Sequence, residues 1–209
     1  MLKLPVYGLT GNIGCGKSTV LNIFARFIDV VVFDTDKIAK KLLEDKYADS
    51  LLKIVEKDVF SDNKIDFQKI DKIVFKDDQK LKELQNFIHP LVWEFICEDV
   101  KKKGNRTFGI VESAILFEIN WDKLFDKIIV VECSHEQQYK RLYEKGLKKK
   151  EIESRIAKQM PIEEKRKRAD IIIDTECSFQ QLEVKVNQLY CFLKGGVLND
   201  KKSSISRHF

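Results

Sequence analysis

Gly11-Asn12-Ile13-Gly14-Cys15-Gly16-Lys17-Ser18 packs three glycines, a lysine and a hydroxyl side chain into eight residues. The spacing satisfies G-x-x-x-x-G-K-[ST], a loop whose chemistry is the holding of phosphate. Backbone N–H groups can wrap a phosphate only where no Cβ blocks the approach, so glycine recurs. A helix opening behind the loop adds unpaired N–H donors and a partial positive charge. In this reading Asn12, Ile13, Gly14, Cys15 and Gly16 cradle the phosphates of a nucleotide. Lys17, expected as an exposed loop lysine, reaches the β- and γ-phosphates. Ser18 offers its hydroxyl to Mg²⁺, and Thr19, deeper in the helix, contacts the α-phosphate.

A second group of chemical residues lies at Phe33-Asp34-Thr35-Asp36. Two carboxylates at the carboxyl end of a strand can hold Mg²⁺ or accept a proton from an attacking hydroxyl. The competing reading is structural: Asp34 or Thr35 caps a helix that begins near Lys37. No N-K-x-D string is present, so a GTPase is not expected, and the chain is short for a mechanical ATPase.

These residues need a frame. Leu4 to Leu9, Val30 to Phe33, 107–111, 127–131 and 170–173 are short, mostly apolar runs that do not alternate with polar residues. Such runs suit a parallel sheet covered on both faces. Helical spacing between them, as at Val20, Ile23, Phe24 and Phe27, gives repeated β-α-β units and an α/β fold. In an open sheet of this type the strand ends share one crevice with the phosphate loop. Two stretches exceed a simple crossover. Residues 37–104 read as a mostly helical inserted subdomain. Residues 135–168 read as a helical, basic lid, with Lys148-Lys149-Lys150 and Lys165-Arg166-Lys167-Arg168 as a solvated surface. The core then comprises about 1–36, 105–134 and 169–198. The tail from 201 reads as poorly ordered and without functional signal.

Composition excludes other classes. With 209 residues, 44% of them hydrophobic, the chain can bury one substantial core. A net charge of +5 suits a small anionic substrate and does not call for nucleic acid. No apolar run is long enough to span a membrane, and no secretory signal is expected at the start. The five cysteines are scattered, form no C-x-x-C pair, and do not cluster with the three histidines. Zinc or a disulfide framework is therefore not expected, and a reducing cytoplasm is the simpler setting. A monomer is favoured, with no sequence feature that decides the oligomeric state.

GLTGNIGCGKSTV, FDTDKIAKKL, IDFQKIDKIVF, NFIHPLV, ESAILFE and RIAKQMPIEEKRKRADIIID occur in one order over most of residues 7 to 175. In this order they resemble the dephospho-coenzyme A kinase family. The resemblance implies a phosphate-loop kinase core: a parallel five-stranded sheet between helices, with a helical substrate subdomain and a lid. It implies ATP- and Mg²⁺-dependent phosphorylation of the ribose 3′-hydroxyl of dephospho-coenzyme A, the last step of coenzyme A synthesis. By matching position, Asp36 takes the place of the base for that hydroxyl and Arg141 that of a lid arginine. His89 is placed toward the acceptor, where Pro90 predicts a bend or a helix start. Glu112, after the third strand, is placed near Mg²⁺ through water, and Glu118 serves the same site or a salt bridge.

The chain departs from the family pattern at several positions. Asn12 stands for a glycine, a change that left-handed backbone would tolerate. Cys15 stands for a serine, at a helix N-terminus where a thiol becomes acidic. Ala114 stands for a proline, Lys145 for a second lid arginine, and Thr175 for an asparagine near the nucleotide base. A nucleoside or nucleotide kinase of the same fold is the alternative function. An ATP-binding regulatory protein without phosphotransfer is a further one.

Overall fold

The structure is a computed structural model that describes residues 4–55, 59–61, 64–74, 76–103, 106–198 and 208–209. β1 (Val6–Thr10) leads into the phosphate loop and α1 (Lys17–Phe24) leaves it. After β2 (Val30–Asp34) come α2 (Thr35–Asp45), α3 (Ala48–Val55), the short ribbon β3 (Phe60–Ser61) and β4 (Lys64–Ile65), α4 (Phe67–Val74) and α5 (Asp78–Lys102). The chain continues through β5 (Phe108–Glu112), a 3₁₀ turn at Trp121–Leu124 and β6 (Lys127–Glu132). It ends with α6 (His135–Glu144), α7 (Lys149–Ala157), α8 (Ile162–Arg168), β7 (Ile171–Asp174) and α9 (Phe179–Leu198).

The five long strands form one sheet in the order β2-β5-β1-β6-β7, and each neighbouring pair runs parallel. This is the parallel five-stranded sheet expected from the apolar runs. Every residue of β1 and β5 is buried, as a sheet covered on both faces requires. Side-chain alternation sorts the two faces. Tyr7 and Leu9, Phe108 and Ile110, Ile129 and Val131, and Ile171 and Ile173 share one core with Phe24 of α1 and with Leu182, Val186, Leu189 and Leu193 of α9. The α9 residues recur at helical spacing, so one stripe of that helix meets one face of the sheet. On the other face Gly8 is a close-approach position. A Cβ there would lie 2.6 Å from Leu116 Cδ1 and 2.9 Å from both Ile128 Cδ1 and Phe125 Cδ2.

The chain divides into two compact units: Met1–Asp34 with Lys103–Phe209, and Thr35–Lys102. The second unit contains α2 to α5 and the β3–β4 ribbon, which the mostly helical reading of 37–104 did not foresee. The helix expected near Lys37 begins at Thr35, directly after β2, and Thr35 is itself buried. Pro90 corrects a further expectation. It neither starts nor ends a helix but lies inside the 25-residue α5. Ile88, Val92, Ile96 and Val100 are buried at helical spacing on both sides of it. Burial of that stripe outweighs the backbone hydrogen bond that proline removes.

The tail expectation falls largely on residues 201–207, which lie outside the described residues. His208 and Phe209 are ordered against the edge strand. The Phe209 N–H donates to Ile172 O at 2.9 Å, and the Asp174 N–H donates to Phe209 O at 3.2 Å. The Phe209 ring packs near Phe192, with centroids 6.2 Å apart.

Candidate active site

The loop between β1 and α1 is built by backbone geometry that glycine permits. Gly11 has φ 146°, and a Cβ there would lie 2.1 Å from Val131 O on β6. Gly16, the N-cap of α1, has φ 90° in the left-handed region. Asn12 does not use its tolerance for left-handed backbone, because Asn120 is the one non-glycine residue with positive φ among the described residues. Its contribution is different. Its carbonyl accepts from the Cys15 N–H at 3.2 Å and from Lys17 Nζ at 3.3 Å. Lys17 is thus folded along the loop and only 8% exposed, not the exposed lysine expected. Ser18 remains exposed on the first turn of α1, and Thr19 is half-buried behind it.

The sheet order brings three candidate metal-binding residues together. Ser18 Oγ donates to Glu112 Oε1 at 3.4 Å. Asp34, at the end of β2, is the register partner of Glu112, at the end of β5. Neighbouring strands are about 4.8 Å apart, so the two carboxyl-bearing residues share one edge of the sheet. A hydroxyl with one or two carboxylates is a donor set that suits Mg²⁺ held together with substrate phosphates. No group of three or more His, Cys, Asp and Glu side chains forms a metal cluster among the described residues.

Arg141, in the last turn of α6, reaches the opposite side of the loop. Its Nη2 donates to Thr175 O at 2.7 Å, and its Nη1 lies 2.8 Å from Thr175 Oγ1 and 3.5 Å from Gly14 O. The Thr175 hydroxyl also lies 2.8 Å from Cys15 O. Thr175 therefore links Arg141 to the phosphate loop. Lys145 is exposed at the C-cap of α6. Asp36 is exposed in the first turn of α2. His89 is half-buried within α5, and burial lowers its pKa to about 4, so it is a neutral imidazole at ordinary pH.

Cys15 is more acidic than an ordinary thiol, with a pKa lowered to about 7, but the main cause is not the one expected. A hydrogen bond from the Cys133 thiol leads, burial opposes it, and Lys17 and backbone amides assist.

The structure adds residues that sequence reasoning had not assigned. Ile13 is gripped from two sides: Gln138 Nε2 donates to its carbonyl at 2.6 Å, and its N–H donates to Gln159 Oε1 at 2.9 Å. Gln159 belongs to the QMP string already singled out, which was the one available signal. Lys165, assigned to a solvated basic run, is fully buried. Its Nζ donates to Ala114 O at 2.7 Å and pairs with Glu118 Oε1 at 3.0 Å. The same Glu118 oxygen accepts from the Met160 N–H at 2.8 Å, so Glu118 takes the salt-bridge role. The neighbouring Arg166 forms two 2.5 Å hydrogen bonds to Glu132. All four residues in that run thus have defined partners, since Arg168 also bonds Asp122 Oδ2 at 2.7 Å and Lys167 Nζ pairs with Glu164 Oε1 of its own helix at 2.6 Å.

Comparison with known proteins joins these features. The profile of the dephospho-CoA kinase family matches residues 5–181. The dephospho-CoA kinase of Aquifex aeolicus is 36% identical over 186 residues, covering 88% of this chain and 94% of that one. A solved structure from Thermus thermophilus, TT1252, superposes with a TM-score of 0.79 at 28% identity, covering 91% of this chain and 98% of that one. The dephospho-CoA kinase of Campylobacter jejuni superposes with a TM-score of 0.61 at 29% identity, covering 93% of this chain and 100% of that one. A phosphate loop with this sheet order, matched along most of the chain by one profile and by relatives of nearly the same length, places the protein in the dephospho-CoA kinase family.

Proposed function

We propose that this protein transfers the γ-phosphoryl group of ATP to the ribose 3′-hydroxyl of dephospho-coenzyme A, giving coenzyme A and ADP. The observation that carries the choice of acceptor is the family match over residues 5–181. The phosphate loop alone would serve many kinases of this fold.

The proposed mechanism assigns each residue a task. Backbone N–H groups of Gly14, Gly16, Lys17 and Ser18 bind the phosphates, those of Ile13, Cys15 and Thr19 being engaged within the fold, and Lys17 neutralises charge between the β- and γ-phosphates as transfer proceeds. Ser18 would hold Mg²⁺, with Asp34 and Glu112 as its nearby carboxylates. Bound there, Mg²⁺ would neutralise phosphate charge and orient the triphosphate. Asp36 orients the 3′-hydroxyl and takes its proton. His89 contributes to acceptor binding as a neutral hydrogen-bonding group. Arg141, held by Thr175, supplies positive charge to the phosphoryl group. These substrates are water-soluble nucleotides, and the cytoplasm is the proposed compartment. No helix among the described residues is long and apolar enough to cross a membrane.

The test is ADP release with dephospho-coenzyme A, adenosine, AMP or no acceptor. ADP should appear with dephospho-coenzyme A and match coenzyme A formed one to one. Comparable turnover with adenosine or AMP would replace the proposed acceptor. Equal ADP release without any acceptor would make the protein an ATPase.

Within the stretch 135–168, the segment from Arg141 to Lys150 is proposed to close over the phosphates as a lid, because an open site would pass the phosphoryl group to water. Gly146, between α6 and α7, has φ 83° and nothing within 4 Å of a Cβ built there, which leaves room for movement. Limited trypsin cleavage between Arg141 and Lys150 should slow when ATP and dephospho-coenzyme A are both present. Cleavage at the same rate in every ligand state would mean a static segment.

A further inference from the structure

The thiols of Cys15 and Cys133 have no task in phosphoryl transfer, yet the fold brings them together. Cys15 is in the phosphate loop, and Cys133 directly follows β6. One hydroxyl holds both segments: Thr175 Oγ1 lies 2.8 Å from Cys15 O and 3.1 Å from Glu132 O. The two thiols are neighbours in this arrangement, and Cys133 with the adjacent backbone amides favours negative charge on the Cys15 sulfur. Both line a cavity of ≈ 340 Å³ that is open at one side and shared with Asn12, Gln138 and Gln159. Asn12, one of the lining residues, is only 5% exposed, and its buried Oδ1 has no hydrogen-bond partner. A small polar molecule can therefore reach a thiol pair that is otherwise shielded.

We propose that Cys15 and Cys133 form a reversible oxidation site, in which a hydroperoxide converts the pair to a disulfide that disables the phosphate cradle. Cys15 is the attacking sulfur. The donors around it favour its thiolate, whereas hydrogen bonding to Cys15 and burial hold Cys133 in the thiol form. The Cys15 thiolate attacks the terminal oxygen of ROOH. The S–O bond forms as the O–O bond breaks, leaving Cys15 sulfenic acid and an alkoxide that takes up a proton as ROH. The Cys133 sulfur then attacks the sulfenic sulfur. The S–S bond forms as the S–O bond breaks, and hydroxide leaves as water with the Cys133 proton. In sum, two thiols and one hydroperoxide give a disulfide, ROH and water. Two electrons pass from sulfur to peroxide, and a dithiol returns them.

The consequence follows from where Cys15 sits. A disulfide holds its sulfurs about 2.05 Å apart, well inside the separation of unbonded thiols. Closing that gap draws the loop toward the end of β6, in the same stretch where Asn12 O and Lys17 Nζ meet. Displacing a phosphate cradle by about 1 Å costs on the order of a hundredfold in turnover. Linkage makes the effect mutual: a disulfide that weakens ATP binding must be disfavoured, by the same factor, when ATP is bound.

The experiment uses the full-length protein, hydrogen peroxide and no nucleotide. The expected product has lost two hydrogens, gives a Cys15–Cys133 cross-linked peptide, turns over about a hundredfold more slowly, and binds ATP more weakly than the reduced protein. Dithiothreitol should restore binding, and saturating ATP during oxidation should slow cross-linking. Cys133→Ser should keep basal turnover and bind ATP normally. With peroxide it should stop at a Cys15 sulfenic acid that dimedone traps. Cys177→Ser and Cys191→Ser should behave as the parent protein. Inactivation without the cross-linked peptide would overturn the proposal, as would a cross-linked protein that still binds ATP at full strength. ATP binding is read directly, so failure here is distinct from failure of the proposed acceptor.

Discussion

Lys17→Ala is expected to cut turnover at least about a hundredfold, the size of effect seen when a charge contact to a transition state is removed. Negative charge grows between the β- and γ-phosphates as the bond to the leaving group breaks, and in the proposed mechanism Lys17 is the cation that meets it. The variant should remain folded. The side chain is 8% exposed and its Nζ donates to Asn12 O at 3.3 Å. Truncation removes that hydrogen bond, worth about 1 kcal/mol net, and relieves the desolvation of a buried ammonium. The check is steady-state turnover beside a thermal melt. Turnover within a few-fold of the parent would sink the phosphate-cradle assignment. A collapsed melting temperature would instead make Lys17 a structural residue.

Asp36→Asn is expected to lower turnover by about two orders of magnitude or more, the usual span of acid–base contributions. A ribose hydroxyl is a poor nucleophile at neutral pH, and its proton must leave during or after attack. The phosphoryl-transfer transition state is loose, so orientation of the hydroxyl can matter as much as removal of its proton. Asparagine keeps the shape and loses the charge. ATP affinity should barely change if Asp36 acts on the acceptor. Loss of one negative charge in the first turn of α2 should cost well under about 1 kcal/mol at this exposed position. Asp34→Asn should differ in kind. Asp34 is the register partner of Glu112, which bonds Ser18, so its loss should appear as a higher Mg²⁺ requirement. Turnover and ATP affinity across a Mg²⁺ series separate the two. Full activity of Asp36→Asn, or rescue by Mg²⁺ alone, would move Asp36 into the metal shell and end its role as base.

Much of this protein was legible in the chain because it is encoded over short spans. Buried strands announce themselves as mostly apolar, non-alternating runs, and all five sheet strands fall within one or two residues of those runs. The phosphate loop is legible because its glycines answer a local need. Gly11 and Gly16 have positive φ, and no other residue adopts such backbone at so little cost. Asp34, Glu112 and Ser18 could be named as candidates because each follows a strand or opens a helix. That they converge depends on β5 lying between β2 and β1.

Other features depend on which distant segments become neighbours, and no local spacing carries that information. Lys165 reads as a surface lysine because its run is charged. It is buried because α8 packs against the sheet unit, where Glu118 and Ala114 O satisfy its charge and hydrogen bonds. A buried ammonium is tolerable only when so paired, and its partners lie more than forty residues earlier in the chain. Pro90 reads as a bend or a helix start from its own stereochemistry, and the helix start is overridden because burial along α5 outweighs one missing N–H. Cys15 and Cys133 read as two isolated cysteines, and the Ile13 peptide shows no sign of the two glutamines that hold it. The amino-acid sequence by itself determined the backbone chemistry of the loop and the apolar cores of the strands, because φ preference and burial act residue by residue. The tertiary structure alone decided which thiol and amides meet at that loop and which carboxylate meets the buried ammonium, because such pairings exist only after the strands have taken their order.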